Sequence, residues 1–174
     1  LDWSDKIACA FFHGATPRTA GFNTVDVAAM RPATQFFTTV FMFVGGSPAS
    51  TAGGIKTTTV VVLVLTMIAF VRGRQETITS TRTVPRHIVR EAFSIFVLGL
   101  SCVALLFSLL LVTEQVNTPG LAYSDLLFES FSAFGTVGLS TGATPNLSTA
   151  GRLAVAVTMF IGRLGPLTIA LVIG

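Results

Sequence analysis

The feature that most constrains this chain is the run from Ala92 to Thr113, AFSIFVLGLSCVALLFSLLLVT, which carries no charged residue. About 20 apolar residues at a 1.5 Å rise cross the hydrocarbon core of a bilayer, so this run predicts a spanning helix. Arg152 to Gly174 nearly repeats it, interrupted by Arg163. Pro32 to Val71 is too long for one simple span and is broken by GGSPASTAGG, residues 45–54. With 51% hydrophobic residues, 11% charged and a mean hydropathy of +0.76, the chain lacks the polar surface of a soluble domain, where about 25% of residues are charged.

The net charge of +3 is concentrated rather than spread. Arg72, Arg74, Arg82, Arg86 and Arg90 lie between two apolar segments, whereas Glu114 to Asp125 contains no Lys or Arg. That asymmetry is the positive-inside pattern and predicts that residues 72–91 form a cytoplasmic loop. A nucleic-acid surface would surround its basic residues with aromatic or loop partners, which this loop lacks, so no nucleic-acid partner is expected. Cys9 and Cys102 sit in apolar surroundings and read as small hydrophobic side chains. His13 and His87 are isolated, without metal-ligand spacing. No nucleophile–base pair stands out, so an intramembrane enzyme is disfavoured.

Sliding the sequence along itself by 117 positions, Gly21 onto Gly138, gives an ungapped match. Thr19-Ala20-Gly21-Phe22-Asn23-Thr24 falls on Thr136-Val137-Gly138-Leu139-Ser140-Thr141, and Met42-Phe43-Val44-Gly45 on Met159-Phe160-Ile161-Gly162. Each copy runs from a short apolar segment through a glycine-centred loop to a long apolar helix, so each predicts one structural unit. The second copy is complete: helix 92–113, an external connection, a short helix from Tyr123 to Phe134, a loop at 135–149 and a helix at 150–174. Its short helix is too brief to span and must enter the membrane and turn back, which is tolerated only where the backbone is buried in protein or lines a watery cavity. The expected domains are 1–71, a pore helix, filter and broken inner helix without an outer helix; 72–91, the basic loop; and 92–174, a complete repeat. The first residues, LDWSDKIACAFF, lack a methionine and a preceding span, and read as the continuation of something longer.

A Thr-x-Gly-x-Ser/Asn loop after a half-helix suits a dehydrated monovalent cation. Ordered carbonyl oxygens can replace the hydration shell, glycine allows the unusual backbone this needs, and the half-helix points its negative end at the ion. Neither loop contains Asp or Glu, which favours carbonyl coordination over a ring of charges.

The motifs TPRTAGFNT, VGGSPASTAGGIKTTT, SAFGTVGLSTG and MFIGRLGPLT resemble the third and fourth repeats of the pore subunit of the Ktr/Trk potassium-uptake superfamily, most closely its bacterial Ktr branch. The resemblance implies an all-α membrane protein of membrane–pore–membrane repeats, potassium-channel-like, with re-entrant pore helices and extended filter loops. It implies a multi-pass protein of the bacterial cell membrane that takes up potassium, with sodium possible, and needs no covalent cofactor. It also implies further N-terminal repeats of the same pore, a homodimer of pore subunits and a cytoplasmic nucleotide-binding regulatory ring. The filter would map onto Thr19, Ala20, Gly21, Phe22 and Asn23, and onto Thr136, Val137, Gly138, Leu139 and Ser140. A single glycine per loop suggests looser discrimination against sodium than two would give.

The stretch Gly45, Gly46, Ser47, Pro48, Ala49, Ser50, Thr51, Ala52, Gly53 and Gly54 makes a continuous helix costly, at roughly 1 kcal/mol per Gly and 3 per Pro. It reads as a simple kink or, in line with the family, as an intramembrane gate below the filter and separate from it. A phosphate-binding loop is disfavoured, because Ile55 separates Gly54 from Lys56 where GxxxxGK[ST] needs them adjacent. Lys56 is either a gate residue or a snorkelling side chain. Arg163, opposite Gly46 in the repeat, is expected to bond the loop's carbonyls and raise a positive barrier, or else to pair with a carboxylate elsewhere. The rival function is a cation-coupled secondary transporter with broken helices, which would need titratable groups at the midplane.

Overall fold

A computed structural model describes residues 2–48, 50–74, 76–79, 82–117 and 120–165. Its order is α1 (Trp3–Ala15), α2 (Pro32–Phe43), α3 (Thr57–Val71), β1 (Thr77–Thr79), β2 (Arg82–Val84), α4 (Arg86–Asn117), α5 (Tyr123–Gly135) and α6 (Thr149–Leu164).

Local chemistry sets most of these boundaries. Pro32 opens α2 at the one helical turn where a missing N–H costs nothing. Pro85 precedes α4, which begins at Arg86, so Arg86 and Arg90 lie on its first turns rather than in a loop. The Ser148 side chain caps α6 by accepting from the Gly151 N–H at 3.1 Å. Gly165, at φ 85°, closes it with its N–H on Ile161 O. The helix expected to run on to 174 therefore ends at Leu164, and residues 166–174 lie outside the described residues.

The all-α expectation also needs one correction. β1 and β2 pair antiparallel, Thr77 opposite Val84 and Ile78 opposite Thr83, inside the segment read as a plain basic loop. The three-residue alternation on each side is too short to stand out in sequence.

Arg86–Glu114 of α4 is long and apolar enough to cross a membrane, yet only 22% of its apolar window is buried. The core helix of a soluble protein would be mostly covered, so this helix carries an apolar surface suited to lipid. α3, a run of Thr, Val and Leu, is apolar around its whole circumference. At the centre is α5, packed against α2, α4 and α6. Its 13 residues rise only about 20 Å, short of a bilayer core. Phe128, Glu129, Ser130, Ser132, Ala133, Phe134 and Gly135 are all buried, so its C-terminal half is enclosed by protein. Leu106, Leu110, Leu126, Leu147 and Val155 form one core between α4, α5 and α6. Phe43, Ile55, Val103 and Phe134 form another where α2 ends. α6 crosses α5 so closely that a Cβ on Gly162 would meet the Phe134 carbonyl.

Candidate ion-binding loops and intramembrane loop

The two glycine-centred loops share positive φ at matching positions. Gly21 and Gly138 lie at φ 74° and 87°. Two positions earlier, Thr19 and Thr136 lie at φ 68° and 52°, and among the described residues they are the only non-glycines with positive φ. A β-branched residue there costs of order 1–3 kcal/mol and persists only where its surroundings hold it. The strain recurs at the repeat spacing, so it belongs to the unit rather than to one loop.

A helix-terminal hydroxyl pins each loop. Thr16 Oγ1 donates to Phe22 O at 2.8 Å and accepts from Phe22 N at 3.1 Å. Ser132 Oγ donates to Leu139 O at 2.6 Å. The carbonyl after each glycine is thereby bonded to protein. The two loops also touch: a side chain on Gly21 would strike the Val137 carbonyl, and Gly138 faces Gly21 Cα. They differ in cover, since Leu139 is 1% exposed and its counterpart Phe22 is 70% exposed. Ala20, Asn23 and Gly138 are exposed, Thr19, Gly21, Thr136 and Ser140 half-buried, and Val137 buried.

Behind the second loop lies Glu129, 4% exposed on α5. Its Oε1 accepts from Thr144 Oγ1 at 2.8 Å and from Ser140 Oγ. Sequence reasoning missed it, because the repeat sets Phe12 opposite Glu129 and no motif marks it. A second buried acid, Glu114, joins the end of α4 to the cap of α6, accepting from Ser148 N at 3.0 Å and Ser148 Oγ at 2.7 Å.

The helix break between α2 and α3 is an ordered loop with a closed neck. Gly45 N donates to Ile55 O at 2.8 Å, Ile55 N to Phe43 O at 3.2 Å, and Thr57 N to Gly46 O at 3.2 Å. Lys56 Nζ donates to Ala52 O at 2.8 Å and to Ser50 O at 3.2 Å and so ties the loop together. Ser47, Pro48, Ser50 and Thr51 are exposed while Gly45, Ala52, Gly53 and Gly54 are buried; Ala49 lies outside the described residues.

The loop is not separate from the glycine loops, as the sequence suggested. Gly53 N donates to Thr136 Oγ1 at 3.1 Å. Gly54 N donates to Gly162 O at 3.3 Å, so the contact from α6 comes from the backbone one residue before Arg163. The Arg163 side chain is exposed, and among the described residues it makes no hydrogen bond to the loop.

The overall fold has a counterpart in a solved structure. The crystal structure of the potassium transporter TrkH from Vibrio parahaemolyticus superposes with a TM-score of 0.78 over 98% of this chain and 38% of that one, at 20% identity. That likeness defines the fold as that of a helical membrane transporter. The family profile TrkH, described as a cation transport protein, matches residues 1–173, and the chain belongs to that family, whose members are transporters and not enzymes. The Ktr system potassium uptake protein B of Bacillus subtilis (strain 168) is 46% identical over 164 residues, 94% of this chain and 36% of that protein. The potassium/sodium uptake protein NtpJ of Enterococcus hirae is 39% identical over 168 residues, 96% of this chain and 37% of that protein. The chain thus spans little more than a third of the length of these relatives.

Proposed function

We propose that this chain supplies two of the filter loops of a potassium-uptake pore, with α1 and α5 as re-entrant pore helices. The supporting observation is the recurrence of positive φ at Thr19 and Gly21 and again at Thr136 and Gly138, in loops that touch. Alternating left-handed residues turn successive carbonyls toward one side, and such an array can replace an ion's hydration shell. Because Phe22 O and Leu139 O are bonded to hydroxyls, the ion-facing carbonyls in this reading are those of Thr19, Ala20 and Gly21, and of Thr136, Val137 and Gly138. Asn23 and Ser140 close the outer ends. Potassium is the transported ion, with sodium possible, in line with the relatives, a potassium uptake protein and a potassium/sodium uptake protein.

Residues 45–54 with Lys56 form the gate beneath the filter, and Arg163 contributes a positive barrier from its exposed position. Residues 72–91 face the cytoplasm of a multi-pass cell-membrane protein. Residues 1–71 and 92–174 are successive repeats of one pore. The assembly that goes with this reading is a homodimer of pore subunits under a cytoplasmic nucleotide-binding ring. The test is rescue of potassium-uptake-deficient cells by the full-length parent and by its Gly138→Ser variant. Rescue by the parent, with potassium-over-sodium preference lowered in the variant, is expected; a variant of normal abundance and unchanged preference would remove Gly138 from the filter.

A further inference from the structure

Resting on the filter reading above, we propose that Glu129 is a positioning residue for the second filter loop: its carboxylate holds the Ser140 and Thr144 hydroxyls from behind and so fixes the outer end of that loop.

A carboxylate buried to 4% exposure is costly unless its charge is met by hydrogen bonds. Glu129 meets it with the hydroxyls of Ser140 and Thr144, both on one oxygen, and Ser140 Oγ lies 3.1 Å from Thr144 Oγ1. Ser140 also turns the chain, because its Oγ accepts from Gly142 N at 2.9 Å. The acid therefore gathers the filter's last residue, the bend after it and the 3₁₀ turn at Thr144–Asn146 into one knot. Leu139 and Val137 anchor the loop in a core with Val27, Met42 and Phe128, while a pocket of about 190 Å³, lined by Glu129, Ser140 and Thr144 together with Val155 and Met159, opens beside Gly138. Where the loop borders that pocket, hydrogen bonds add to the packing. Ser132 holds the loop at Leu139 and Glu129 holds it at Ser140. The first loop has no counterpart, since Phe12 stands where Glu129 would be. Hydrogen bonds to a charged acceptor are about twice as strong as neutral ones, which suits a brace on a loop whose carbonyls are pulled toward each passing cation.

The experiment uses the full-length parent, with potassium uptake measured per transporter copy in cells depleted of potassium. Variants are Glu129→Gln, the pair Ser140→Ala/Thr144→Val, and all three together, with Gly138→Ser as control. At normal membrane abundance, Glu129→Gln and the pair should each raise the KM for potassium about tenfold, the scale of one lost charged hydrogen bond, and lower potassium-over-sodium preference. The triple variant should go little further than either. Unchanged KM and preference in either set overturns the proposal, including the case where only abundance falls. Should Glu129→Gln fail to reach the membrane, the Ser140/Thr144 pair decides by the same criteria. If Gly138→Ser also leaves preference unchanged, the filter reading itself has failed; if Gly138→Ser alone acts, only the role of Glu129 has.

Discussion

The backbone N–H of Gly53 donates to the side-chain hydroxyl of Thr136 across 3.1 Å and 83 positions of sequence. The bond ties the loop between α2 and α3 to Thr136, the non-glycine residue of the second glycine loop that has positive φ. A Cβ on Gly53 would collide with that same Thr136 side chain, so the contact depends on glycine. The two loops are therefore joined by a direct hydrogen bond.

If the second glycine loop is the filter proposed above, this link should make selectivity sensitive to the loop at 45–54. Deleting residues 49–51 in the full-length parent should raise potassium flux and also lower potassium-over-sodium preference. Thr136→Val keeps the shape of the side chain but removes the hydroxyl, so the deletion should add little further change in preference on that background. Flux and preference by ion-competition uptake provide the check; a deletion that raises flux with preference intact would show the bond carries no coupling.

Lys56 is bonded to the Ser50 and Ala52 carbonyls of the loop; in the gate reading above it holds that loop closed. Lys56→Met keeps the apolar stem and removes the donor, and should raise uptake velocity several-fold, on the scale of about 1 kcal/mol for lost hydrogen bonds. Arg163→Ala should also raise velocity through loss of a positive barrier, with no effect on loop contacts, so the two variants should combine additively. Initial rates for the two single variants and their combination test both statements.

Gly162 tests the packing. A side chain there meets the Phe134 carbonyl at the crossing of α5 and α6, with Phe134 C only 2.9 Å from the added Cβ. Gly162→Val should cost about 1–3 kcal/mol or more by overpacking, read as a lower thermal midpoint of the purified full-length parent. An unchanged midpoint would mean the helices separate freely at that crossing.

Topology is open to labelling once Cys9 and Cys102 are replaced. A cysteine at Arg74 should react with an impermeant reagent only from the cytoplasm, and one at Pro145, exposed in the turn after the second filter, only from outside. Reaction of the Arg74→Cys variant in intact cells would invert the orientation.

Much of this arrangement was legible in the sequence, for identifiable reasons. Gly21 and Gly138 stand out because positive φ is nearly reserved for glycine, and the Gly/Ser/Pro break at 45–54 because a helix cannot cheaply contain it. Thr19 and Thr136 do not stand out, since nothing in a threonine announces a left-handed backbone. The pinning hydroxyls hide for another reason: Thr16 aligns with Ala133, and Ser132 with Ala15, so the repeat conserves the bond while moving its donor by one residue. Arg163 drew attention as a lone charge, but the α6 contact to the loop is made by the Gly162 carbonyl, and a backbone atom leaves no mark on a sequence.

The most direct test of the account is where the ion sits. Crystals of the full-length parent grown with rubidium in place of potassium should show anomalous density between the two glycine loops, within coordination distance of the Thr19–Gly21 and Thr136–Gly138 carbonyls. Density instead at the break between α2 and α3, with none between Gly21 and Gly138, would contradict the filter and favour a secondary transporter that binds its cation at broken helices.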